Sequence, residues 1–501
     1  MAESFRRERD PLGELEVPAG AYYGVQTLRA VENFPISGLR APDDLIVATI
    51  LIKKAAAETN ASLGRLDRTV ADAIGAAADE ILGGALRDQF VVDIYQAGAG
   101  TSHNMNANEV LANRASEILG EPKGTYARVH PNDHVNMGQS TNDVYPTATR
   151  LALLLGAAAL VPAAEMLSAS LALKADEFAQ VLKTGRTHLQ DAVPITLGQE
   201  FGGWAACVRR GAEDVASASE QLLELNIGAT AVGTGLNAGE EYRRRVVQNL
   251  ARYTSLPLLP ALSLFRVTQS MGDVLGYSSA MRRLAVEVSK IASDLRLLSM
   301  GPRAGLSEIA LPAVQPGSSI MPGKVNPSVA EMVNQVCFQV MGCDATVAIA
   351  CEAGQLELNV MMPVIAWNAL HASSILREAL KVFRLRCVSG ITADETRARE
   401  LLDRSTAAAT ALSPYIGYAA TAEIAKESVK SGKSIHTLVV ERGLLDEARL
   451  NEILSVESMT RGGIVGEAGT GEAGRAGQRA GQAGPAGKTG RAGRAGKAGK
   501  E

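Results

Sequence analysis

Four short stretches of this chain set polar side chains at spacings that can do chemistry. GAGTSHNMNANE (98–109) supplies Thr101, Ser102, His103, Asn104 and Asn106 after a glycine-rich turn. GQSTNDVYP (138–146) supplies Ser140, Thr141, Asn142 and Asp143 directly before a long apolar segment. GRTHLQDAVP (185–194) offers Arg186, Thr187, His188 and Gln190 between two long apolar-periodic segments. PGSSIMPGKVNP (316–327) places Ser318, Ser319, Lys324 and Asn326 among two glycines and three prolines. Taken singly, each reads as capping and turn chemistry, because Ser, Thr, Asn and Asp belong at helix starts. Taken together, they lie at the ends of predicted helices, are rich in neutral donors and are short of carboxylates. That inventory suits a small polyanion held by hydroxyls, amides, helix N-termini and one or two cations.

Other chemistries fail on spacing. In the 316–327 stretch Gly317 is followed by five residues before Gly323-Lys324, and Val325 stands where a P-loop needs its magnesium-binding hydroxyl. GTGLNAG (233–239) misses the dinucleotide fingerprint. No His/Glu/Asp cluster has metal-ligand spacing, and no GxSxG elbow marks an acyl-transfer serine. Read as a lid, the 316–327 loop makes sense: Gly317 and Gly323 let the backbone move and approach a ligand closely.

The elements that must position these stretches are mostly helices. Residues 1–140 mix short apolar runs and turns with helical text, and 141–397 carry long apolar-periodic segments at 147–183, 196–226, 266–299 and 328–350. Segments of that length suggest a bundle whose helices bury faces against each other or against neighbouring subunits. Residues 398–464 read as a small helical domain, with Gly432 and Gly443 as helix stops. The text from 465 to 501 changes kind: glycine recurs near every third residue with almost no apolar bulk, which predicts disorder. From Gly466 on it holds seven Lys or Arg against three Glu, so the tail is weakly basic on an acidic body.

Composition sets the outer bounds. The 501 residues are 46% hydrophobic and 21% charged, as in a globular protein of several domains. Aromatics are only 4%, so the core must be aliphatic and alanine-rich. The net charge of −4 gives no basic excess for nucleic acid. Five cysteines without a CxxC pair predict reduced thiols rather than disulfides or a zinc site. The charged start MAESFRRERD carries no apolar signal core. LALLLGAAALVPAAEM from Leu151 is shorter than a bilayer span and reads as a buried bundle helix. The expectation is a cytoplasmic protein with no membrane and no nucleic-acid partner.

The four stretches, with TAVGTGLN (230–237) and GPRAGLSEI (301–309), resemble the aspartase/fumarase superfamily of lyases, and GSSIMPGKVNP is similar to its signature loop. The likeness runs from about Asp10 to about residue 464 and leaves out only the tail. Within the superfamily, GQSTND, QPGSSIMPGKVNP and EAGQLELNV (352–360) are closer to the aspartases than to the fumarases. Two positions depart from that pattern and bear on substrate preference: Met362 stands where many aspartases have Glu, and His103 replaces a commonly aliphatic residue.

The resemblance implies a mainly α, three-domain chain with a central long-helix bundle, assembled as a homotetramer with each site built from three subunits. It implies reversible deamination of L-aspartate to fumarate with no organic cofactor. By analogy Thr101, Ser140, Thr141 and Ser319 hold the β-carboxylate, while Lys324, Asn326 and Thr187 hold the α-carboxylate. Asn142 and His188 lie near the amino group, and Ser318 is the base. The nearest alternative is fumarate hydratase or another C–O or C–N lyase of the superfamily. An alternative of another class is a non-catalytic structural protein on the same fold.

Overall fold

The computed structural model describes residues 4–460 together with 463 and 464; the tail expected at 465–501 lies outside the described residues. The described chain is mainly α and divides into two compact units. The first holds residues up to 181 and 196–398; the second holds 182–195 and the chain from 399 on.

The first unit opens with an antiparallel hairpin, β1 (Phe5–Asp10) and β2 (Gly13–Pro18), paired from Phe5↔Pro18 to Asp10↔Gly13. Its helices are α1 (Val25–Asn33), α2 (Asp43–Ser62), α3 (Arg68–Leu82), α4 (Thr101–Ile118), α5 (Thr141–Glu177), α6 (Leu197–Glu220), α7 (Glu240–Thr254), α8 (Leu264–Gln269), α9 (Gly272–Leu298), α10 (Ser328–Glu352) and α11 (Met362–Arg386). The long helices α5, α6, α9, α10 and α11 pack on one another around an aliphatic core. Leu160 and Leu167 of α5, Val208 of α6, Leu284 and Ile291 of α9, Val340 of α10 and Leu376 of α11 are all wholly buried there. A second cluster of α2, α3 and α4 side chains, with Ile74 and Leu111 at 0% exposure, fixes α4 near the start of the chain.

The expected long helices form, with shifted ends. The segment expected at 147–183 begins at Thr141 and stops at Glu177, because Ser140 and Asp143 close a capping box at its start. Leu182–Thr187 instead form β3, which pairs with β4 (Gln190–Thr196). Pro146 and Pro162 both sit inside α5. Each removes one helical N–H, and the packing of the flanking leucines keeps the helix continuous. By length and composition α5 is apolar enough to span a bilayer, yet its apolar residues fill the bundle core.

The second unit contains the β3–β4 hairpin, whose turn residues His188 and Leu189 take φ of 55° and 58°. Two left-handed residues in succession match the twist of a tight hairpin. Beyond α12 (Glu395–Arg404) follow α13 (Ala409–Ile416), α14 (Tyr418–Ser431), α15 (Ile435–Glu441), α16 (Glu447–Ile453) and α17 (Val456–Thr460). Helices α13 to α16 close on their own core of Leu412, Ile424, Leu438, Val439 and Leu450. Gly432 (φ 74°) and Gly443 (φ 62°) end helices, as their position in the sequence suggests.

Candidate active site

Two of the four stretches meet at the starts of α4 and α5. Gly100 precedes α4 with φ 86°, and a Cβ there would lie 2.1 Å from the Tyr145 ring. Only glycine fits, and this close approach sets Thr101 at the exposed first position of α4. Thr101 Oγ1 donates to Gly98 O at 3.3 Å. Ser140 caps α5: its Oγ accepts from Asn142 N at 3.2 Å, and its N–H donates to Asp143 Oδ1 at 2.9 Å. Thr141 Oγ1 accepts from Asn104 Nδ2 at 3.1 Å, which ties the two stretches together. Asn142 Nδ2 donates to Ala231 O at 2.8 Å.

Behind this surface lies a layer the sequence reading did not assign. Asp143 is wholly buried, and its Oδ2 accepts from Gly228 N at 3.0 Å and Thr230 N at 2.9 Å. Burial pushes its carboxyl up to about 7, against the pull of three backbone N–H donors and Lys53. Asn226 Nδ2 donates to Asn142 O at 3.2 Å. Asn226 Oδ1 accepts from Thr147 Oγ1 at 3.1 Å and from Arg150 Nη1 at 3.4 Å. Arg150, with no exposed surface, is paired with Asp273 at 2.6 Å. The TAVGTGLN stretch and the start of α5 are thereby locked to each other. The one signal available in the sequence was a charge, Arg150, set inside apolar helical text.

His103 and Met362, the two departures, both turn inward. Met362 is fully buried in the bundle core. His103 is 2% exposed and sits edge-on to Tyr145, with ring centroids 5.7 Å apart. Thr49 Oγ1 donates to Leu45 O at 2.8 Å, so it accepts from His103 at 2.9 Å and places the ring proton on Nε2. Burial, with Lys53 nearby, pushes the imidazole down to about 4. The unfolded chain therefore binds this proton near pH 6.5 and the folded chain does not, so the contribution of His103 to stability falls as pH drops from 6.5 towards 4, while the raised Asp143 carboxyl acts the other way over that range. At about 1.4 kcal/mol per unit, the loss reaches about 3 kcal/mol at the acid end. His103→Leu is expected to remove that contribution, so that below pH 6.5 the thermal midpoint falls less with acid than in the parent; an unchanged slope would show that His103 does not carry it.

The 316–327 loop is closed on itself. Gly317 N donates to Lys324 O at 2.8 Å, and Asn326 Nδ2 donates to Gly317 O at 2.8 Å. Within this ring Ser318 Oγ accepts from Ile320 N at 3.2 Å and Met321 N at 3.0 Å. Two N–H groups aimed at one hydroxyl oxygen favour its alkoxide form. Ser319 and Lys324 are exposed, and the Asn326 amide holds the loop shut. A Cβ on Gly317 would lie 2.4 Å from Lys324 O, so Gly317→Ala must open the ring. Misplacing a reacting group by about 1 Å costs up to ~100-fold. We expect kcat to fall at least about tenfold with little change in thermal midpoint, since the loop lies at the surface; unaltered turnover would show that the ring does not position Ser318.

The structure brings Thr101, Ser140, Thr141 and Asn142 into one neighbourhood. No hydrogen bond joins the 316–327 loop to them among the described residues. Thr187 and His188 are exposed on the hairpin of the second unit. Among the described residues, no group of three or more His, Cys, Asp or Glu side chains is placed to hold a metal ion. All five cysteines are free.

Comparison with known proteins places the chain in a family. Residues 13–342 match the lyase family and residues 409–461 the fumarase C C-terminus. The chain is 51% identical over 466 residues to an aspartate ammonia-lyase of a Bacillus species, covering 93% of this chain and 100% of that one. It superposes on the fumarate lyase:delta crystallin of Brucella melitensis in its cobalt-bound crystal structure with a TM-score of 0.87 at 50% identity, over 90% of this chain and 98% of that one. The class II fumarase of Schistosoma mansoni gives the same TM-score, 0.87, at 37% identity, over 91% and 99% of the two chains. The likeness runs along nearly the whole length in both sequence and fold, and the chain belongs to the aspartase/fumarase superfamily of lyases, within the family of the aspartate ammonia-lyases.

Proposed function

We propose that this chain is an aspartate ammonia-lyase, converting L-aspartate to fumarate and ammonia. The observation that carries the reaction is the Ser318 hydroxyl, seated under two backbone N–H donors in a self-closed loop. The aspartate ammonia-lyase relatives support the amine, rather than a hydroxyl, as the leaving group.

The hard step is removal of a proton from the carbon beside the β-carboxylate, a very weak acid. Ser318, as its alkoxide, takes that proton, and the electron pair spreads into the β-carboxylate as an aci-carboxylate dianion. The C–N bond then breaks with its electrons leaving on nitrogen, so the ammonium group departs as ammonia and the double bond of fumarate forms. Preorganised donors are what make the dianion tolerable, and each is worth about 100- to 1000-fold in rate. Thr101, Ser140, Thr141 and Ser319 are the donors for the β-carboxylate. Lys324, Asn326 and Thr187 hold the α-carboxylate, and Asn142 and His188 attend the amine.

Among the described residues no hydrogen bond joins the loop to the α4 and α5 starts, so in this reading their meeting falls to neighbouring copies in a homotetramer. Exposed apolar side chains along the bundle support that assembly: Val286 on α9, Phe338 and Ile349 on α10, Val382 and Leu385 on α11. No organic cofactor takes part in this reading. The five free thiols support a cytoplasmic location, and the net charge of −4 supports a protein without nucleic-acid or membrane partners.

The test follows fumarate absorbance after adding L-aspartate or, separately, L-malate. Fumarate from aspartate alone is expected. Fumarate from malate alone would make the chain a fumarate hydratase, and silence in both would favour a non-catalytic protein on this fold.

A further inference from the structure

Lys53 lies inside α2 with no exposed surface, and the reaction described above makes no use of it. A buried ammonium is costly unless its protons are satisfied. Lys53 Nζ donates to Asn136 Oδ1 at 3.0 Å and to Gln139 Oε1 at 2.9 Å, the two ends of the turn that leads into Ser140. Gln139 Nε2 in turn donates to Val135 O at 3.0 Å, and Asn136 Nδ2 to Gln139 O at 3.3 Å. The ammonium therefore closes a ring of hydrogen bonds from below.

The ring reaches the cradle through one further amide. Asn104 Nδ2 donates both to Asn136 Oδ1 at 3.2 Å and to Thr141 Oγ1 at 3.1 Å. A hydroxyl oxygen that accepts from an amide turns its own hydrogen elsewhere. Thr141 is thereby set as a donor towards whatever acceptor fills the cradle. Two other charged or titratable groups act on this ammonium: Asp143, from α5, favours its charged form, and His103, from α4, stays neutral beside it.

We infer that Lys53 is a positioning residue for the proposed deamination: it holds the 136–139 turn and, through Asn136 and Asn104, aims the Thr141 hydroxyl at the carboxylate that takes up charge. Burial lowers the ammonium towards about 7, so a negative charge arising in the cradle favours its protonated form. The inference rests on the reaction proposed above, and the wild-type assay with aspartate tests that reaction separately.

The experiment compares Lys53→Met, Thr141→Ala and the double variant in the full-length protein. Three quantities are read: kcat, inhibition by succinate, and inhibition by the nitronate of 2-amino-3-nitropropanoate. Succinate mimics the ground-state dicarboxylate; the nitronate mimics the dianion. Lys53→Met is expected to lose about tenfold or more in kcat, short of the 100- to 1000-fold of a direct donor. Nitronate inhibition should weaken at least about tenfold more than succinate inhibition, and Lys53→Met should cost little once Thr141 is already alanine. Equal weakening of both inhibitors, or losses that multiply in full in the double variant, would overturn the inference. If Lys53→Met does not fold, Asn104→Ala cuts the same relay one bond nearer Thr141 with the ammonium in place; the same three readouts then decide.

Discussion

Ser318→Ala is expected to keep the fold and to lose at least about 100-fold in kcat for fumarate formation from aspartate, the scale of general base catalysis. The loop ring is closed by Gly317 N to Lys324 O and by Asn326 to Gly317 O, neither of which involves the serine hydroxyl. Alanine leaves the Ile320 and Met321 N–H groups without Oγ, but both residues are exposed, so water can replace it. Stability should therefore stay within about 0.5 kcal/mol, as for most surface changes. The combination is diagnostic: a base is lost while the scaffold is unmoved. Thermal midpoint and particle size check the second half, and steady-state rates check the first. Near-normal turnover with an intact fold would remove Ser318 from the mechanism and leave the donor cradle without a base.

The largest effect on stability is expected at Arg150. Its guanidinium has no exposed surface and bonds Asp273 twice, Nε to Oδ2 at 2.6 Å and Nη2 to Oδ1 at 3.2 Å. It also donates to Asn226 Oδ1 and to the carbonyls of Val267 and Ser270. Arg150→Met strands the Asp273 carboxylate in the interior, and breaking one side of a buried pair costs about 3–5 kcal/mol. Asp273→Leu in the same background should recover a good part of that loss, because no uncompensated charge then remains. Denaturant midpoints of the two variants give the comparison. A shift of less than about 1 kcal/mol for Arg150→Met would mean that water reaches Asp273. Since Asn226 also binds the carbonyl of Asn142, the single variant should lower kcat as well.

The sequence by itself determined which segments are helical, which stretches interrupt them, and which side chains are offered at those interruptions. Apolar spacing of three and four residues is a short-range fact, so the body of α5 can be read from neighbouring residues, while its start at Thr141, six residues before the expected 147, is set by the Ser140–Asp143 capping box. The glycines and prolines of 316–327 likewise announce an irregular loop on their own. Resemblance to the lyase superfamily added the reaction, and comparison along nearly the whole chain agrees with it.

Tertiary structure decided what stands behind those side chains. Lys53 reads in sequence as an ordinary lysine beside Lys54; only the packing of α2 against the turn before α5 buries it under Asn136 and Gln139. Asn104 meets Thr141, Asp143 meets Gly228 and Thr230, and Arg150 meets Asp273, each across tens of residues with no spacing rule to announce it. The strand at 182–187 also escaped the helical reading, because Val181 and Leu182 continue the apolar text of α5 and a hairpin turn is fixed by backbone twist as much as by residue type. Local spacing is written along the chain; a buried polar partner is written only in how helices cross, and that depends on the whole core at once.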